Sequence, residues 1–228
     1  MSYYKTAMKI QNFILPAIGL LFAGLGALVV WYFAPMFNQA AGQVEQMSPL
    51  TAATVAASPA GQEGLIEGRV SESNPVQFRL FVAYVRYEYR GQDNDNDNES
   101  KWVEDERVTP ALLLDLPGGR VQLANSDYGL DGRLVKWQSE PTLTWNSWSG
   151  EGTKSYEGLE RGNPVLAIGT VVEGAKGREF NAEWLYGGTR ATYLDDQRTS
   201  AQITRWVGLV FLVVGGVIFG LGVWVWLR

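Results

Sequence analysis

Neither cysteine nor histidine occurs anywhere in the 228 residues. A Ser-His-Asp triad or a Cys-His pair needs an imidazole or a thiolate, and a structural zinc site needs Cys or His ligands, so this chain assembles none of these. Disulfides are excluded too, which leaves the redox compartment open. Charge is missing from two long stretches, Ile10 to Val44 and Trp206 to Leu227. The mean hydropathy of −0.09 therefore averages two different populations of residues.

Phe13 to Phe33 is a run of 21 uncharged residues, and a helix needs about 20 to cross hydrocarbon. The sequence predicts a transmembrane helix over 13–34. A secretory signal has a shorter apolar core, about 7 to 15 residues, with a small-x-small cleavage site close behind. The nearest match here, Asn38-Gln39-Ala40-Ala41, is a poor one. The 22 uncharged residues from Trp206 to Leu227 predict a second span over 205–227, an anchor at the carboxyl end. Trp31 and Tyr32 end the first span, and Trp206, Trp224 and Trp226 bracket the second, where amphipathic rings prefer the headgroup layer.

Lys5 and Lys9 precede the first span, and no Lys or Arg follows it until Arg69. Positive residues stay inside, so residues 1–12 and the carboxyl end are expected in the cytoplasm and the middle of the chain outside a plasma or inner membrane. Arg205, on the outer edge of the second span, runs against that pattern. All 24 acidic residues and 15 of the 19 basic ones lie between Glu45 and Ser200, a net charge of −9. So acidic a surface disfavours nucleic acid and anionic headgroups as partners.

Residues 35–62, rich in Ala, Gln, Ser and Thr and interrupted by Pro49 and Pro59, read as a linker. Over 63–200, short runs of Val, Ile, Leu and aromatics alternate with Gly, Pro, Asn and Asp at about ten-residue spacing, the pattern of one small all-β domain. Strands are expected over 65–70, 76–90, 101–108, 111–116, 121–124, 133–138, 142–148, 164–172 and 178–186. Leu112, Leu114 and Leu116 alternate with polar residues, as do Val121 and Leu123, around Pro117-Gly118-Gly119: a hairpin. Pro164 to Val172 is apolar on both faces, which predicts a central strand with a close backbone approach at Gly169.

Several separated segments carry a family resemblance. Ile66-Glu67-Gly68-Arg69-Val70 opens the domain, Tyr84, Tyr87 and Tyr89 lie in a long strand, and Trp102 follows an acidic insertion. Pro110 to Asp115 leads to Gly119-Arg120-Val121, and Tyr156 to Val165 continues into Ala167-Ile168-Gly169-Thr170-Val171. With an apolar span on each side, the region from about residue 60 to 228 resembles the GIDE-type, or beside-a-membrane, domain of the mulan membrane ubiquitin ligases and their prokaryotic relatives. Those ligases carry a zinc-binding RING after the second span. Without Cys or His this chain matches the RING-less prokaryotic form, so no ligase activity is expected. The order of these segments is also similar to a small five-stranded OB-type barrel.

Four constellations bear on chemistry. Asp93, Asp95, Asp97 and Glu104 fall at positions one, three, five and twelve of a calcium-loop pattern. Asn98 stands where that loop needs Gly, Lys101 fills the ninth position and the flanks read as strands, so a solvated turn is the expectation and no metal site is assigned. Trp137, Trp145, Trp148, Tyr156 and Trp184 form either a ligand platform or, as expected, core and headgroup contacts. Glu104-Asp105-Glu106 and Asp195-Asp196 lack a partner base and read as solvated surface. Gly19, Ala23 and Ala27, and Gly216 and Gly220 near Gly215 and Gly222, are stripes that pair helices either within this chain or with another protein. No catalytic residue and no cofactor is assigned. The expected partners are the lipid bilayer and another membrane protein or a second copy. The expected function is a membrane-anchored, non-catalytic binding or scaffolding protein, or else an accessory subunit of a larger membrane complex recognised through its spans.

Overall fold

The computed structural model describes residues 2–92, 100–139, 152–174 and 177–227. The chain divides into two compact units, Met1–Gln46 with Leu194–Arg228, and Met47–Tyr193.

The first unit is helical. Helix α1 (Ser2–Leu28) runs through a π-helical turn over Val29–Phe33 into α2 (Ala34–Gln46), and α4 (Arg190–Leu227) returns alongside it. Pro35 has no backbone N–H to offer the carbonyl one turn earlier. The helix widens just before it, and Ala34 donates to the Val29 carbonyl five residues back. Two segments, Ile14–Gln46 and Arg190–Val225, are long and apolar enough to cross a membrane.

Their large side chains point outward: Leu20, Leu21, Val213 and Leu221 are each more than half exposed. Their small residues point at each other. A Cβ on Gly26 would lie 2.7 Å from the Gly208 carbonyl oxygen, one on Gly215 2.7 Å from that of Gly19, and one on Gly222 would meet the Pro16 ring. Gly216 and Gly220 have nothing within 4 Å. Of the stripes in the sequence, Gly19, Ala23 and Gly215 therefore serve the chain's own pairing, and Gly216 and Gly220 do not.

Residues 35–62, expected as a linker, are partly helical. Besides α2, they include α3 (Ala52–Ala57), capped where Thr51 and Thr54 exchange side-chain and backbone hydrogen bonds. Alanine is the best helix former, and Val55 is anchored in the β core at 1% exposure, a tertiary contact with no local signature.

Among its described residues the second unit holds ten strands: β1 (Glu63–Val70), β2 (Phe81–Gln92), β3 (Ser100–Val108), β4 (Leu113–Leu116), β5 (Gly119–Gln122), β6 (Gly129–Gly132), β7 (Val135–Gln138), β8 (Lys154–Glu160), β9 (Pro164–Gly174) and β10 (Gly177–Gly187). One sheet has the order β5-β4-β1-β9-β10-β6 and the other β3-β2-β8-β7. Among the described residues neither closes into a barrel. β4 and β5 form the expected hairpin, with Leu116 opposite Gly119 and Gly118 at φ +83° in the turn.

β9 lies between β1 and β10, the central place its apolar faces require. β10 bulges between Ala182 and Trp184, opposite Gly169. Asn125 satisfies that bulge, accepting from the Ala182 N–H at 2.9 Å and donating to its carbonyl at 2.7 Å. Leu65, Leu114, Val165, Phe180 and Leu185 are all at most 1% exposed, and the core also takes Val82, Ala83 and Leu159 from the second sheet. β6, a parallel edge strand on β10, has too few apolar residues to be seen in the sequence. The expected strand over 142–148 lies outside the described residues.

Candidate functional site

The four-stranded sheet carries a set of ion pairs and a cluster of rings, and alternation along β2 decides which of its side chains share a face. Tyr84, Arg86 and Glu88 fall on one side, Val85, Tyr87 and Tyr89 on the other. Between β2 and β3 the register slips: Arg86 pairs with Glu106 and Tyr87 with Glu104, leaving Asp105 as the extra residue of a bulge. A bulge re-aims a side chain, and here it turns Asp105 and Glu106 onto Arg86 together.

Arg86 donates from Nε and Nη2 to the two oxygens of Asp105 at 2.9 and 3.0 Å, and its Nη1 lies 2.7 Å from Glu106. Lys154 Nζ reaches Asp105 at 2.8 Å and Glu88 at 3.0 Å, and Tyr84 donates to Glu106 at 3.2 Å. The two Arg86 hydrogen bonds, with Lys154 adding to them, hold the Asp105 carboxyl down to about 2. Burial, reinforced by Glu106, pushes the Tyr84 hydroxyl up. Asp105 is thus a fixed anion with its lone pairs occupied, which suits it to structure and not to proton transfer. Glu104 meets Arg107 through both oxygens at 2.8 Å. The Glu104-Asp105-Glu106 run therefore forms ion pairs at the surface, with the Glu104 and Glu106 side chains 39% and 37% exposed.

Beside this network the rings collect. Phe78 stacks on Tyr156 with centroids 4.4 Å apart, Trp137 lies 5.3 Å from Tyr156, and Tyr84 sits 5.5 Å from it. Arg79 places its guanidinium 3.8 Å from the Trp137 ring centroid. It does so with φ at +52°, the one non-glycine residue in the left-handed region among the described residues. Next to it Leu80 is 65% exposed. The opposite face opens as a cleft of about 330 Å³ lined by Tyr87, Trp102, Ser155 and Glu157. Burial, then the nearby Glu157 and Glu104 charges, raise the Tyr87 hydroxyl, keeping it a neutral donor.

Of the aromatic residues singled out in the sequence, Trp137 and Tyr156 meet in this cluster. Trp184 packs elsewhere, 5.5 Å from Tyr193. Trp145 and Trp148 lie outside the described residues, as do Asp93, Asp95 and Asp97 of the calcium-loop pattern. Asp195 and Asp196 sit on α4. Among the described residues no group of three or more acidic side chains is arranged to hold a metal ion. Arg86, Lys154, Phe78 and Arg79 were not singled out, because pairing across β2, β3 and β8 is what gives them a role. The alternation Tyr84-Arg86-Glu88 was the one available signal.

Such a surface offers ring faces, a stacked guanidinium and a cleft with polar rims, which is binding chemistry. No protein-family model, no curated protein and no solved structure matches the chain.

Proposed function

We propose that the protein is a two-pass membrane protein that holds its β unit at the outer surface of a plasma or inner membrane, where the four-stranded sheet binds or organises a protein partner without catalysis. The observation that carries this reading is the inverted arrangement of the helical unit. Glycine backbones meet inside it, and large apolar side chains face out along both helices. Hydrocarbon rewards that arrangement, since helices in lipid gain nothing by hiding Leu or Val from a solvent equally apolar. Lys5 and Lys9 support a cytoplasmic amino terminus, and the resemblance to the RING-less GIDE-type domain supports a module that serves at the membrane.

Labelling tests the arrangement. Ser126 is exposed in a loop of the β unit, and no native thiol competes. A Ser126→Cys variant should react with an impermeant maleimide on intact cells; reaction only after lysis overturns the orientation. A photo-crosslinking residue at Trp102, in the cleft, should yield a discrete adduct, and its absence from every adduct while Arg79 crosslinks would move the binding surface to the other face.

A second reading, an accessory subunit recognised through its spans, is favoured by the open Gly216 and Gly220 stripe. Mild-detergent extraction separates the two: a subunit comigrates with partners in fixed ratio, and a free-standing binder does not.

A further inference from the structure

In the helical unit a cavity of about 350 Å³ opens between the π turn with α2 and the facing part of α4. We propose that it is a site for the phosphate headgroup of an anionic phospholipid, an inference that rests on the membrane reading above.

Helical spacing builds it. Arg198, Ala201, Gln202 and Arg205 stand at i, i+3, i+4 and i+7 along one face of α4. Ala34 and Ala201, 4% and 6% exposed, form a floor too small to fill the space. Pro35 and the widened turn before it enlarge one wall, and Asn38 and Gln202 add neutral donors. The volume is that of a small-ligand site.

Charge and position select the ligand. Arg198 and Arg205 are the charged groups lining the cavity. Arg198 is held 2.9 Å from Glu45, but Arg205 makes no hydrogen bond or ion pair among the described residues and is free to bind. Arg205 is also the last charge before the 22 uncharged residues that begin at Trp206. Trp31 lines the mouth at 70% exposure, and Trp206, next to Arg205 in the chain, is 62% exposed. Rings of this kind mark the level of phospholipid headgroups. A phosphate there meets a guanidinium fork matched to its geometry, and its acyl chains lie along the exposed apolar sides of both helices. The acidic excess of residues 45–200 repels anionic surfaces at long range. This site is local, and it accounts for Arg205, an outer cation at the edge of the second span that runs against the topology rule.

The test uses the full chain in mild detergent, titrated with phosphatidylglycerol and read by native mass spectrometry. One retained lipid is expected, with affinity falling about tenfold in Arg205→Gln, recovering only in part in Arg205→Lys, which keeps the charge but not the fork, and unchanged in Arg120→Gln. Equal retention in Arg205→Gln overturns the site. Displacement by millimolar inorganic phosphate overturns the lipid assignment in favour of free phosphate. Flotation of the same samples with phosphatidylcholine vesicles reads the membrane reading separately: wild type and Arg205→Gln should both float, and if neither does, both the membrane reading and this site fall.

Discussion

Gly169 shows how a single missing side chain is decided by its neighbour. The sequence predicts a close backbone approach at Gly169 within Pro164–Val172. The structure supplies the group that approaches: a Cβ at 169 would run into the Asn181 carbonyl oxygen and lie 2.9 Å from the Ala182 Cα, both backbone atoms at the β10 bulge. Backbone there cannot swing aside, because Asn125 ties Ala182 by two hydrogen bonds. Gly169→Val should therefore destabilise the protein by about 1–3 kcal/mol through overpacking, read from a denaturant midpoint. An unshifted midpoint would mean that the bulge relaxes freely.

Asp105 is the corresponding case for charge. Its folded-state value of about 2 lies below its ordinary 3.8, so its contribution is fully present above about pH 4 and is lost as pH falls through 2. With water close by, that contribution is about 1 kcal/mol. Asp105→Asn should lower the melting temperature at pH 7. It should also flatten the part of the acid limb between pH 4 and 2, and melting curves across that window check both.

Among the elements, the two long helices give the sharpest contrast because adjacent glycines face opposite ways. A side chain on Gly215 would meet Ala23 backbone and lie 2.7 Å from the Gly19 carbonyl oxygen, whereas Gly216 faces open space. Gly215→Leu should separate the helices and cost about 1–3 kcal/mol in detergent, while Gly216→Leu should leave the monomer's melting curve unchanged. Equal effects from both would remove the seam. The bulge between β2 and β3 is a device of the same scale: without the slip at Arg86 and Tyr87, Asp105 would alternate to the cleft face and the Arg86 network would lose its best-placed carboxylate.

For the whole molecule the governing quantity is the distribution of charge along the chain. Lys5 and Lys9 are the only cations before the first apolar run, and the next is Arg69. Lys5→Glu/Lys9→Glu should produce a mixed orientation, seen as two Ser126→Cys populations, one labelled on intact cells and one only after lysis. A single labelled population would show that another determinant sets the topology.

Periodicity and composition alone determine the two apolar helices, the β character of the middle, the β4–β5 hairpin and the central place of β9. Each follows from local rules, apolar run length, alternation or turn residues, acting over fewer than about 25 neighbouring positions. The missing thiols and imidazoles likewise close off whole classes of chemistry without any coordinates. Only the tertiary structure decides which glycines pair and which stay open, that α3 anchors through Val55, that Phe78 and Arg79 cover Trp137 and Tyr156, and that a cavity lies between Arg205 and the π turn. These depend on contacts between residues tens to about two hundred positions apart. No local pattern encodes such contacts, because a side chain's partner across a sheet or a helix pair is set by register and packing.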